Sequence, residues 1–169
     1  TGNYNIATGH QSLMYNTTGS YNTASGSFSL NSNTTGEKNT ATGYYTLKNN
    51  TTGLRNIAMG YGALDGPDTE NDNLAIGYDA LGGSIAGGEY NVAIGNYTLD
   101  ALTSGDYNVA VGYNAMTANQ SGGYNTAIGY GALDAATTDY DNVAIGYNAM
   151  GGAVSGGYGN TATGAYSLD

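Results

Sequence analysis

Stretches such as Asn108-Val109-Ala110-Val111-Gly112 and Asn142-Val143-Ala144-Ile145-Gly146 alternate β-branched with small residues. A period of two sends successive side chains to opposite faces of an extended chain, so each stretch predicts a short strand. Gly at the fifth place permits a sharp bend, or a backbone approach that a Cβ would block. Beyond it, segments such as Tyr61-Gly62-Ala63-Leu64 predict a second strand. The runs Asn-Thr-Thr-Gly at 16–19, 33–36 and 50–53 predict the return turn. A helical solenoid is excluded by the density of Gly and the lack of any 3.6-residue period.

The alternation recurs. The pattern Asn-x-Ala-x-Gly starts at Asn5, Asn22, Asn39, Asn56, Asn73, Asn91, Asn108, Asn125, Asn142 and Asn160, ten copies across residues 1–169. Copies are 17 residues long, except for 18 after Asn73 and after Asn142. Counting the Asn as position one, position nine is Leu in eight copies and Met in two, Met116 and Met150. A longer period overlies the short one. Residues 56–72 match 125–141 at ten of 17 places, and the two 18-residue copies lie 69 residues apart. Four copies thus form a duplicated block, as expected of a protein that grew by lengthening.

A unit this small cannot bury its own apolar face, so successive units must stack. The expected fold is all-β, a β-solenoid or β-roll with one coil per repeat. At about 4.8 Å per coil, ten coils make a rod of roughly 50 Å. Stacking brings Asn22, Asn39, Asn56, Asn73, Asn91, Asn108, Asn125 and Asn142 into register as a structural amide ladder. The core looks thin, because Thr23-Ala24-Ser25 and Thr40-Ala41-Thr42 put polar residues where later copies have Val or Ile. A lone rod would then be marginal. The small-residue face of Ala and Gly offers a second packing surface, and a homo-oligomer with closed cyclic symmetry is the expected use of it.

Composition changes this picture little. Gly supplies 29 residues and Tyr 17, with one Phe, no Trp and no Cys. Only 9% of residues are charged, against about a quarter in a typical domain. Regularly placed Tyr, Ile and Val argue against disorder. Absent Cys removes disulfide and thiolate chemistry. A net charge of −10 argues against nucleic acid and against anionic lipid as partners. No apolar run approaches the roughly 20 residues that span a bilayer. The chain opens on Thr1 in mid-repeat and carries no signal peptide, so a segment of a longer protein is expected.

Candidate chemistry is sparse. His10 is the lone histidine, at a position that holds Ser, Tyr, Asn or Ala in other copies. Without Cys it builds no reproducible nucleophilic site, so no catalytic residue and no enzyme activity are expected. Two carboxylates suffice for a glycosidase, and Asp65, Asp68, Glu70 and Asp72 cluster beside Pro67. The equivalent turn keeps only Asp134, Asp139 and Asp141, which favours solvated loop charge over a glycan depolymerase. Asp65, Asp100, Asp134 and Asp169 all follow position nine and are the candidates for calcium. No cofactor is otherwise expected. The Gly-rich calcium-roll pattern is missing. Tyr44, Tyr61, Tyr78, Tyr113, Tyr130 and Tyr147 follow the invariant Gly and form a candidate contact surface, for chain packing or for a glycan or protein receptor. Thr17–Thr18, Thr34–Thr35 and Thr51–Thr52 form the flat ranks of an ice-binding solenoid, but the ranks break at Asp68–Thr69 and Ile85–Ala86.

Asn-Val-Ala-Ile-Gly at 91–95 and 142–146 resembles the Ser-Val-Ala-Ile-Gly core of head repeats in trimeric autotransporter adhesins. The longer form, Asn125-Thr126-Ala127-Ile128-Gly129-Tyr130-Gly131-Ala132-Leu133, is similar to repeats of bacteriophage tail fibres and bacterial surface fibres. The resemblance covers essentially the whole chain. It implies a parallel homotrimer outside the cell, on a cell surface or on a virion, serving as a rigid structural or adhesive fibre segment without membrane insertion.

Overall fold

The computed structural model describes residues 1–66, 69–83, 88–152 and 157–168. Ten three-residue strands, one per repeat, run in parallel and pair strictly in chain order. They are β1 (Ile6–Thr8), β2 (Thr23–Ser25), β3 (Thr40–Thr42), β4 (Ile57–Met59), β5 (Leu74–Ile76), β6 (Val92–Ile94), β7 (Val109–Val111), β8 (Thr126–Ile128), β9 (Val143–Ile145) and β10 (Thr161–Thr163). Each Ala faces the equivalent Ala of the next coil, as in Ala93↔Ala110. The chain is a parallel β-solenoid with one coil per repeat. Backbone bonds alternate up and down the stack: the Ile57 amide donates to Asn73 O in the following coil (2.9 Å), and the Gly60 amide to Thr42 O in the preceding one (3.0 Å).

The strand alternation resolves into an inside and an outside opposite to the simplest reading of hydrophobicity. Ala24, Ala41, Ala75, Ala93, Ala110, Ala127 and Ala144 are fully buried. Their larger neighbours point outward and stay partly or largely exposed, as do Val92 and Ile94 in β6 and Ile57 and Met59 in β4. The small-residue face expected to meet a partner chain is therefore the solenoid's own interior. Ala63, Ala80, Ala115, Ala132 and Ala149 at position eight are buried in the same core. With them, Leu30, Leu47, Leu64, Leu81, Leu99, Met116, Leu133 and Met150 form a buried file, one residue per coil. The Thr and Ser residues at repeat positions two and four do not thin this core, because they flank the inward Ala and point away from it.

Among the described residues the expected second strand is absent. Tyr61–Leu64 and its equivalents form turns, in which positions seven and nine take left-handed φ, as at Tyr45 (62°), Leu47 (48°), Tyr97 (58°) and Leu99 (51°). Bulky residues rarely adopt such φ. Here the stack holds them there. The Leu64 amide donates to Ala80 O of the next coil (3.0 Å), the Gly62 amide donates back to Tyr44 O (3.0 Å), and the Leu side chain is buried. Where position eight is polar, its hydroxyl is satisfied locally: Ser29, Thr46 and Thr98 donate to the carbonyls of Gly26, Gly43 and Gly95 at 2.7–3.0 Å.

Candidate functional site

Three longitudinal features mark the rod: a buried amide ladder and an exposed aromatic file along its length, and an outward face that is apolar over six coils.

The ladder joins every coil. The backbone amide of each opening Asn donates to the Oδ1 of the Asn one coil earlier, from Asn22→Asn5 (2.9 Å) to Asn160→Asn142 (2.8 Å). From Asn5 to Asn142 its Nδ2 crosses the coil to the carbonyl at position 15, or 16 in the two 18-residue copies, as in Asn39→Gly53 (2.8 Å), Asn108→Gly122 (2.9 Å) and Asn73→Gly88 (2.9 Å). The side chain thus fastens coil to coil and closes its own coil. Asn22, Asn39, Asn56, Asn73, Asn91, Asn108, Asn125 and Asn142 are buried, which suits structural use and leaves no path to a ligand. A second ladder went unread in the sequence. Asn33 Nδ2 donates to Asn16 Oδ1 (2.9 Å) and Asn50 Nδ2 to Asn33 Oδ1 (2.7 Å), while Asn16 and Asn33 also donate to Gly19 O and Gly36 O. The recurring Asn-Thr-Thr-Gly was its signal, and the amide that closes the turn is also its rung.

The tyrosines after the invariant Gly stack along the axis. Ring centroids of Tyr61 and Tyr78 lie 5.0 Å apart at 6°, those of Tyr113 and Tyr130 5.5 Å at 8°, and those of Tyr130 and Tyr147 5.0 Å at 9°. Where position six is not aromatic, position seven is, and it closes the gap. Phe28 replaces Ser27 and packs on Tyr44, Tyr97 replaces Asn96 and bridges Tyr78 to Tyr113, and Tyr166 replaces Ala165 and meets Tyr147. His10 supplies the ring of the first coil, edge-on to Phe28 at 5.2 Å. One aromatic file therefore spans all ten coils. Stacking covers ring faces and leaves edges and hydroxyls outward, so a partner meets a row of phenol edges rather than flat rings.

A second column, just before each Asn, is mixed. Tyr4 stacks on Tyr21, and Tyr90, Tyr107 and Tyr124 stack in sequence at 4.9 and 5.0 Å. Between them Arg55 donates through Nε and Nη2 to the two carboxylate oxygens of Asp72, each at 2.6 Å. That hydrogen-bonded pair holds the Asp72 carboxyl below its usual range.

The acids are spread along the coils. Asp65 and Asp100 occupy one column two coils apart, with Asp79 on the coil between them. Burial raises the pKa of Asp65 and Asp100, with Asp79 repelling both, and burial raises Asp79 itself. Asp134 sits in the duplicated block, and Asp169 and Asp68 lie outside the described residues. Among the described residues no three His, Cys, Asp or Glu side chains gather for a metal, and no cavity opens. Raised carboxyl values mean that the folded chain binds these protons more tightly than the unfolded one. Their stabilising effect is complete below the ordinary carboxylate pKa of about 3.9 and is lost as pH rises through the raised folded values. Asn148 stands in the second block where Asp79 stands in the first. Asp79→Asn should therefore stabilise the protein at neutral pH by up to about 1 kcal/mol, given partial exposure. Thermal melts should show the gain shrinking toward acid pH; an equal gain at both would refute a charge origin.

The threonine ranks are partly engaged in holding coils together. Thr17 Oγ1 donates to Thr34 O (2.8 Å), Thr34 Oγ1 to Thr51 O (2.9 Å) and Thr103 Oγ1 to Gln120 O (2.7 Å). Ile85–Ala86, where one rank breaks, lies outside the described residues.

The outward face completes the surface. At position four of the repeat, the first three coils carry Thr8, Ser25 and Thr42. The next six carry Met59, Ile76, Ile94, Val111, Ile128 and Ile145, and the last carries Thr163. None of the 13 Asp or Glu residues occupies repeat positions two or four, or position six.

These features define a class: a parallel β-solenoid with an internal amide ladder and an external aromatic file. No protein-family model, curated protein or solved structure matches the chain.

Proposed function

We propose that this chain is a structural segment of an extracellular fibre, in the manner of phage tail fibres and bacterial surface adhesins, and that identical chains associate in parallel as a homotrimer through the outward strand face. The observation that carries the reading is that face. In a chain of net charge −10, a column of Met, Ile and Val six coils long stands free of charge and turned to solvent, and such exposed apolar patches mark interaction surfaces. Repulsion between copies is lowest where the acids are absent.

Orientation follows from the polarity gradient. Parallel, in-register packing sets Thr8, Ser25 and Thr42 against their own kind and Ile76–Ile145 against theirs. Antiparallel packing over ten coils opposes Ser25 to Ile145 and Thr42 to Ile128, burying hydroxyls against aliphatic side chains. A closed parallel ring satisfies the first arrangement, and three chains are the number that the resemblance implies. The tyrosine file then rims the seam, with its hydroxyls available to a glycan or protein receptor.

Light scattering should give about three times the 17.1 kDa chain mass. Ile94→Asp with Ile128→Asp should reduce it to one chain while the β circular dichroism persists, because both side chains point away from the core. A single-chain mass for the unsubstituted protein would sink the assembly reading.

A further inference from the structure

The aromatic file has a chemical consequence that goes beyond the fibre reading and does not depend on it. Of the 17 tyrosines, Tyr61–Tyr78, Tyr130–Tyr147 and Tyr90–Tyr107 are pairs stacked within 9° of parallel at 4.9–5.0 Å. Each pair joins adjacent coils. Because adjacent coils are in register, the two rings of a pair project from equivalent places on successive coils, each with reactive carbons ortho to its hydroxyl. Rotation about χ2, which is broad for Tyr, brings two such carbons together. The rings are also reachable, with Tyr61 46% and Tyr78 41% exposed.

We propose that these stacked tyrosines are a site of oxidative modification, at which a haem peroxidase using hydrogen peroxide couples neighbouring rings of one chain into dityrosine. Each phenol gives up one electron and its hydroxyl proton. The two radicals join through a new carbon–carbon bond ortho to the oxygens. The hydrogens displaced from those carbons return to the oxygens as the rings regain aromaticity. Hydrogen peroxide accepts the two electrons and two protons and leaves as two waters. The file also lets a radical formed at one ring pass along the stack until it meets a second. Each bond would staple two coils and close a loop of one repeat, restricting the unfolded chain as a disulfide does.

The molecule carries its own controls. Tyr15 is exposed (57%), as is Tyr158 (74%), yet neither belongs to either stacked column. The test treats the intact protein with a haem peroxidase and hydrogen peroxide, then maps cross-linked peptides by mass spectrometry across a dilution series. The expected products are Tyr61–Tyr78, Tyr130–Tyr147 and Tyr90–Tyr107 within one chain, with a yield that does not fall on dilution. The treated protein should also melt at a higher temperature. In Tyr61→Phe the ring stack is retained but the hydroxyl is gone, so the first product should disappear while the second persists. The proposal is overturned if no dityrosine forms, if Tyr15 and Tyr158 couple as readily as the stacked pairs, or if all coupling is between chains and vanishes on dilution. Denatured protein should lose the pair selectivity; if it does not, the geometry is not its cause.

Discussion

Gly112→Ala is expected to destabilise the solenoid by about 3 kcal/mol or more, the range of severe backbone strain combined with a steric clash. Gly112 has φ 139°, a region closed to residues with a Cβ. An added Cβ would lie 2.3 Å from Gly129 O and 2.7 Å from Gly129 C. Neither backbone is free to retreat, since the Gly112 amide donates to Ile94 O and the Gly129 amide to Val111 O, both at 2.8 Å. Invariance at this position thus has two causes that act together, one within the coil and one between coils. Stability in a stacked array is close to a sum of neighbour contacts, so the lesion should divide the rod at the seventh coil. Urea unfolding followed by circular dichroism should change from one transition to two. Gly159→Ala is the control. Its φ is also left-handed, at 68°, but nothing lies within 4 Å of the added carbon. It should cost only about 1–2 kcal/mol of left-handed strain. Equal losses in the two variants would show that close coil packing is not what position five protects.

Asn108→Ala should be comparably damaging. The side chain is fully buried and serves four bonds. Nδ2 reaches Gly122 O (2.9 Å) and Asn91 Oδ1 (3.1 Å), and Oδ1 accepts from the Asn125 amide (3.1 Å) and Asn125 Nδ2 (3.2 Å). Truncation strands donors and acceptors where water has no ready access, at about 1–3 kcal/mol for each group left unpaired. A total of about 3–5 kcal/mol is expected if neighbouring groups relax only in part. Asn108→Asp separates the two halves of the amide's role. It keeps the acceptor for Asn125 but loses the donor to Gly122 O and brings a charge into the interior. Its deficit should be largest at neutral pH and should narrow in acid, where the carboxyl is protonated and donates again. A pH-independent deficit in denaturant melts would contradict that assignment.

The repeat made part of this legible in advance. Asn-x-Ala-x-Gly predicts a strand because alternation is a local property of an extended chain, and a fixed period predicts stacking because one coil has too little to bury. The recurrence of Asn also predicts its ladder, since in-register stacking leaves an amide at the same height in each coil with its equivalents as nearest neighbours. The aromatic file was only half visible. Six tyrosines after the Gly share one position, but the substitutions at Phe28, Tyr97 and Tyr166 shift by one residue and look like breaks. They close only when two adjacent positions in a turn prove to project into the same column.

Two features were beyond the sequence. Alternation specifies that Ala lies on one face and Val or Ile on the other, but not which face is inside. Hydrophobicity alone favours Val and Ile. The closed coil turns Ala inward, where it packs in one core with the buried Leu and Met file, and leaves Val and Ile outside. The Ala-Leu segment likewise has no local code for its shape, since Leu47, Leu99 and Met116 take left-handed φ that their own side chains disfavour. That conformation is held by amide bonds to the coils above and below and by burial of the Leu and Met file. The sequence by itself determined the strand, the period and the ladder, because each follows from neighbours along the chain or from exact repetition. Only the tertiary structure decided which face turns inward and how the turn is wound, because both depend on how the coil closes on its core and on contacts with the coils on either side.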